Sequence, residues 1–195
     1  MKTALFGGTF DPPHNGHLAL CLYARALAGV DRLIVSVSKN PFKGPSDASD
    51  ADRLAMAALL VDEINAAGQF AETSDWELRQ PGPSYTIDFL RNVEALCPGD
   101  DLVLLVGEDS YCQMPQWKSA SEIPKLCDIA VFGRSGGELA AASCGDPLPP
   151  AMLFDFDMPV SATEIRRLIA ACMPITHLVP PSIAEYIASH RLYRC

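Results

Sequence analysis

Gly7-Gly8-Thr9-Phe10-Asp11-Pro12-Pro13-His14-Asn15-Gly16-His17 follows directly on the apolar run Thr3-Ala4-Leu5-Phe6 and leads into an amphipathic stretch, residues 18–27. A short apolar run closed by glycines and opening into a helical period is the first unit of a βαβ fold. The glycines let the backbone approach a ligand closely. The helix that follows presents unpaired N–H groups and a partial positive charge, so the turn suits a phosphate. His14 and His17 lie three apart at the helix start and project to one side, toward the same phosphate chain, with Gly16 keeping the space between them open. The dinucleotide fingerprint Gly-x-Gly-x-x-Gly and the P-loop Gly-Lys-Ser/Thr are both absent from the chain.

Working outward, strand-length apolar runs recur at residues 32–37, 102–106, 129–132 and 152–156, and helical spacing fills residues 53–64, 86–96 and 165–171. The strands are continuously hydrophobic rather than alternating, which means both faces are covered, and such strands alternating with helices form a parallel sheet. The expectation is an α/β, Rossmann-like doubly wound sheet in a single domain over residues 1–195, with ligands outside the carboxyl ends of the strands. Ser161…Glu164 and Ser182…Glu185 have the Ser-x-x-Glu form of a capping box and mark two helix starts near the end. Residues 135–150 are rich in Gly, Ala and Pro without periodicity and read as a surface loop.

Of the 195 residues 49% are hydrophobic, so the chain folds, and the formal net charge of −9 argues against a surface that neutralises nucleic-acid phosphates. Any phosphate is held locally. The seven cysteines are odd in number and dispersed, with no Cys-x-x-Cys and no zinc spacing, and read as reduced thiols of a cytoplasmic protein. No apolar run approaches the roughly 18 residues of a membrane span, and none before Gly7 is long enough for a signal peptide.

Further candidates lie just after the strands. Ser84-Tyr85-Thr86 opens a helix after a Pro-Gly-Pro turn, where free amides suit a carboxylate. Trp117 either stacks on a flat ring or packs in the core. Arg166, near the start of the Ser161 helix, either acts on an anion together with the first-turn amides or is a solvated residue beside capping Ser161 and Thr163; the His14/His17 motif favours the anion. Lys43, in Asn40-Pro41-Phe42-Lys43, is a second cation or a loop lysine facing water. Gly107-Glu108-Asp109 ends a buried strand, so its carboxylates emerge at the ligand edge.

The first motif resembles the signature of the HxGH-type nucleotidyltransferase superfamily, and the chain is similar to its nicotinate-nucleotide adenylyltransferase branch. Ser84-Tyr85-Thr86-Ile87-Asp88, Gly107-Glu108-Asp109-Ser110, the Trp117 region, Val160-Ser161-Ala162-Thr163-Glu164-Ile165-Arg166 and the ending with Leu178, Tyr186, Leu192 and Tyr193 agree in order and spacing. The resemblance implies transfer of AMP from ATP to nicotinate mononucleotide, giving nicotinate adenine dinucleotide and pyrophosphate, with Mg2+ accompanying ATP. It implies His14, His17, Lys43 and Arg166 as catalytic residues. ATP would be bound by Gly7, Gly8, Thr9, Phe10, His14, Gly16, His17, Gly107, Asp109, Arg134, Ser161, Thr163 and Arg166. Nicotinate mononucleotide would meet Ser84, Tyr85, Thr86 and Trp117. Phe42 stands where the family commonly has His, and Gly133 where an Arg often lies. Three other readings stay open: an adenylyltransferase for nicotinamide mononucleotide or phosphopantetheine, a nucleotide-sensing module without turnover, and a dinucleotide-dependent redox enzyme that lacks its fingerprint. A homo-oligomer is also left open.

Overall fold

A computed structural model describes residues 1–39, 44–133 and 148–194. Its elements, in chain order, are β1 (Lys2–Gly8), α1 (Asn15–Ala28), β2 (Arg32–Val37), α2 (Asp50–Asn65), β3 (Ala71–Ser74), α3 (Thr86–Leu96), β4 (Asp101–Gly107), a short α4 (Glu108–Cys112), α5 (Ile123–Leu126), β5 (Asp128–Gly133), β6 (Met152–Asp155), α6 (Ala162–Ala170) and α7 (Pro181–Ser189). The strands form one sheet in the order β3-β2-β1-β4-β5-β6, and every neighbouring pair is parallel.

The continuous apolar strands supply both faces of this sheet. Ala4, Phe6, Leu33, Val35, Val103, Leu105, Ala130 and Phe132 face one core with residues of α1, α2, α6 and α7. Leu5, Ile34, Leu102, Leu104, Val106, Ile129 and Val131, the alternate positions, face a second core with α3 and α5. The chain winds outward from β1 to β3, then returns through α3 to place β4 on the other side of β1. The winding reverses there, so the crevice beyond β1 and β4 is where a doubly wound sheet takes its ligand.

β3 is the element that periodicity misses. Its Ala-Glu-Thr-Ser sequence lies at the sheet edge, with no residue fully buried, and carries no apolar run. Helix ends also shift outward, as for α1 and α2, because the first-turn residues are polar and lie outside the apolar stripe. Only half of the Ser161 box forms: Ser161 Oγ accepts from the Glu164 amide, while the Glu164 carboxylate is held by Arg167. The Ser182 box does not form. α7 starts at Pro181 after Pro180, and the Ser182 hydroxyl donates to Glu63 on α2 at 2.7 Å, so a tertiary contact takes the would-be cap. Within the 135–150 segment, residues 148–150 are described and lack regular structure.

Cys21, Cys97, Cys127 and Cys172 are free thiols, whereas Cys112 is disulfide-bonded, against the all-reduced expectation. Among the described residues no helix is long and apolar enough to cross a membrane.

Candidate active site

The turn between β1 and α1 is built on its own side chains. Phe10 takes the left-handed backbone region, φ 51°, which is unusual for a bulky residue. Its ring folds back over the strand end, 2% exposed, edge-on to Phe6 and His17. A Cβ on Gly8 would come within 2.8 Å of that ring, so this turn requires glycine there. Asp11 is buried, and its carboxylate accepts from the Asp47 amide (2.8 Å), the Ala48 amide (3.1 Å) and the Tyr193 hydroxyl (2.8 Å). Arg53 on α2, 2% exposed, donates to the carbonyls of Thr9 (2.7 Å) and Ser38 (3.0 Å) and pairs with Asp50. Three distant segments thereby fix the turn.

His14 is the residue before α1, and its amide donates to Nδ1 of His17 at 3.1 Å. That bond makes Nδ1 of His17 an acceptor, so in the neutral ring Nε2 carries the proton and is the donor. The two rings stack, centroids 3.7 Å apart. Burial pushes the His14 imidazolium down to about 4, so His14 is neutral at pH 7. Gly16 lies against the His14 ring.

Arg166 comes from the far end of the chain. On α6 its Nη1 donates to the Asp11 carbonyl at 2.8 Å and its Nε pairs with the Asp47 carboxylate. The guanidinium is therefore anchored beside the histidine turn by a bond made across 155 positions of sequence. Ser161, capping α6, and Thr163 in its first turn open on the same space. At the end of β4, Gly107 precedes α4, and Glu108 and Asp109 form its first turn. A Cβ on Gly133 would lie 2.7 Å from Cβ of Glu108, which gives the arginine-to-glycine departure at 133 a steric reason.

The opposite wall is the start of α3. Tyr85 precedes the helix with extended backbone and no side-chain cap, so the first amides are not satisfied by that residue's side chain. Lys118 holds its ammonium 4.6 Å from the Tyr85 ring centre and 2.8 Å from the Asp88 carboxylate. Trp117, half-buried, packs on the α3 core, as one of its two sequence readings expects, and also lines the cleft. Ser84 is 5% exposed and its hydroxyl donates to the buried carboxylate of Glu77.

One cleft of about 1270 Å³ is lined by Gly7, Gly8, Thr9, Phe10, His14, Gly16, His17, Ser84, Tyr85, Thr86, Gly107, Asp109, Trp117, Ser161, Thr163 and Arg166. These are all the sequence-predicted site residues that are described; Lys43 and Arg134 lie outside the described residues. Sequence reasoning missed Asp11 as an acceptor hub, Arg53, Tyr193, Glu77 and Lys118. Asp11 stands inside the decisive motif, but its partners Asp47, Ala48 and Tyr193 are remote from it in sequence. Tyr193 enters the sequence reading only within the family-like ending, and neither its bond to Asp11 nor that of Arg53 to Thr9 leaves a local signal, because the partners are remote in sequence.

A family model described as cytidylyltransferase-like matches residues 5–168. The chain is 72% identical over 193 residues to a probable nicotinate-nucleotide adenylyltransferase of Chlorobaculum tepidum, covering 99% of each. It is 63% identical over 194 residues to a protein of the same name from Chlorobaculum parvum, covering 100% of each. Among solved structures, the nicotinic acid mononucleotide adenylyltransferase of Plasmodium falciparum complexed with NaAD has a TM-score of 0.79 at 17% identity, over 98% of this chain and 97% of that one. At that identity the likeness bears on the fold.

Proposed function

The chain belongs to the cytidylyltransferase-like family and, within it, to the nicotinate-nucleotide adenylyltransferases; it joins the AMP of ATP to nicotinate mononucleotide on the way to NAD, and we propose that the joining takes place in the cleft beyond β1 and β4. The mononucleotide's phosphate is already an anion, so it attacks the α-phosphorus of ATP without giving up a proton. One P–O bond forms as the bond to the departing pyrophosphate breaks. The protein's task is alignment and charge stabilisation, the dominant contributions in phosphoryl-type transfer.

In this proposal His17 donates through Nε2, and Arg166 directs the rest of its guanidinium fork toward the triphosphate. Neutral His14 is a hydrogen-bond donor, not a charge. Gly7, Gly8, Thr9, Phe10 and Gly16 bring backbone close to the phosphates, Ser161 and Thr163 approach them from α6, and Gly107 and Asp109 meet the nucleoside. Lys43 and Arg134 are carried as further ATP contacts on the family resemblance. Magnesium comes as part of the ATP substrate, on phosphate oxygens and water, as its octahedral habit favours. No group of three or more His, Cys, Asp or Glu among the described residues is arranged to hold a metal, and none is needed for an ion that arrives on the triphosphate. At the other wall the amides of Tyr85 and Thr86, with the Lys118 ammonium near them, meet the nicotinate carboxylate, and Trp117 stacks on the pyridine ring. A cytoplasmic location belongs to the same reading.

The observation that carries it is the meeting of Arg166 with the turn that bears His14 and His17, through the 2.8 Å bond to the Asp11 carbonyl. The test is incubation with ATP, Mg2+ and, separately, nicotinate mononucleotide, nicotinamide mononucleotide and phosphopantetheine, with mass detection of product. Nicotinate adenine dinucleotide as the main product is expected. Preferred adenylylation of either other acceptor overturns the acceptor assignment.

A further inference from the structure

Glu77 lies in the turn after β3, is 4% exposed, and lines the cleft beside Gly7. Its Oε1 accepts from the Ser36 hydroxyl on β2 at 2.7 Å and its Oε2 from the Ser84 hydroxyl at 2.5 Å. Among the described residues it makes no ion pair. A buried carboxylate held by two neutral hydroxyls is expensive, and a neutral side chain of the same size would fill the space without that cost. What only the carboxylate provides is acceptance at both oxygens. It makes both serines donors toward it and leaves the Ser84 oxygen to accept, which it does from the Lys39 amide at 3.3 Å. The Ser84 amide returns a bond to the Lys39 carbonyl at 3.3 Å, and the Lys39 ammonium holds the Gln80 carbonyl at 3.1 Å. The end of β2, the turn after β3 and the residue ahead of Tyr85 are thereby locked together.

We propose that Glu77 is a positioning residue for the acceptor: through Ser84 it sets the direction of the Tyr85 and Thr86 amides at the start of α3, and so the affinity for the acceptor's ring carboxylate. This rests on the acceptor-site reading above. An amide at 77 accepts at one end only, so one of the two serines meets its NH2 and must turn its own proton elsewhere, and the lock that runs from Ser36 through residue 77 to Ser84 loses a bond. The lock then loosens at the carboxylate end of the cleft and not at the triphosphate end.

The test is steady-state kinetics of Glu77→Gln with each substrate varied in turn, together with calorimetric titration of nicotinate mononucleotide alone. A rise of about tenfold or more in KM and Kd for the mononucleotide is expected, the scale of one misplaced buried hydrogen bond, with KM for ATP within about twofold of wild type on the same ground. General loosening of the fold instead lowers kcat through the active fraction and leaves both KM values alone, and that result overturns the proposal, as does an unchanged mononucleotide KM. Should Glu77→Gln not fold, Ser84→Ala carries the same expectation. Where both fold, the double variant is no worse than the poorer single one; additive losses overturn action through Ser84. Wild-type protein that makes no dinucleotide from ATP and nicotinate mononucleotide would contradict the function itself, a result distinct from any of these.

Discussion

The two ends of the cleft are built differently. The end proposed for the triphosphate is a contiguous motif, His14 to His17, pinned from behind by buried groups: Asp11 receives three donors and Arg53 holds the Thr9 carbonyl. The end proposed for the acceptor is assembled from separate pieces, the start of α3, Trp117 and Lys118, and the Lys118 ammonium, its one cation among the described residues, is exposed and already paired with Asp88. A preorganised donor is worth most where charge develops, in the transition state. An exposed cation discriminates between ground-state ligands and contributes less. The first end should therefore govern turnover, and the second, selection.

The largest expected effect tests the first half of that contrast. His17→Ala and Arg166→Ala, each shown to be folded, should lower kcat by about 10²–10³, the usual scale for one transition-state donor. KM for nicotinate mononucleotide should change far less. A loss below about threefold in either variant would erase the distinction between the two ends.

Burial of His14 gives the same end a pH signature. Its pKa falls from 6.5 to about 4 on folding, so between those values the unfolded chain takes up a proton that the native state refuses. Stability from this group is therefore complete above pH 6.5 and is lost as pH falls through the window, about 3 kcal/mol in all. Urea titrations of wild type and His14→Gln at pH 7 and pH 4.5 isolate it: the stability gap between them should move by about 2–3 kcal/mol in the variant's favour on acidification. Parallel pH curves would mean that the ring is not buried in solution.

Legibility in the sequence follows the same division. The sheet was readable because its apolar strands are buried on both faces, and β3 was not, since an edge strand of Ala-Glu-Thr-Ser has no apolar signature. The histidines, Arg166 and Ser161 were readable because they stand in compact motifs. Tyr193 and Asp11 meet across 182 positions and Arg53 and Thr9 across 44, and a contact of that kind leaves no period in the chain. Ser182 shows the opposite failure, a good local motif overruled by a tertiary partner.

Tyr193 offers a smaller perturbation of the triphosphate end. Burial and the Asp11 carboxylate push its phenol pKa up, so it stays a donor across the usable pH range. Tyr193→Phe removes one of three donors to Asp11 and should cost about 1 kcal/mol of stability, or roughly 2–4 °C in Tm. Because Asp11 also fixes Arg166 through its carbonyl, kcat should fall severalfold with the acid-over-amide preference unchanged. A shift in that preference would mean that the two ends are coupled.

The smallest effect belongs to Lys118, and it tests the second half of the contrast. Its ammonium sits over the Tyr85 ring, near the helix start proposed to meet the nicotinate carboxylate, and its side chain is 47% exposed. Water screens such a charge, so its contribution is bounded at about 1 kcal/mol, less than tenfold in a ratio of rates. Lys118→Met keeps the length of the stem and removes the charge. The ratio of kcat/KM for nicotinate over nicotinamide mononucleotide should fall about three- to fivefold, through the acid substrate alone, and raising the salt concentration should reduce the same ratio in wild type. Equal loss on both mononucleotides would make Lys118 a packing residue for Tyr85, and would leave discrimination to the amides of α3.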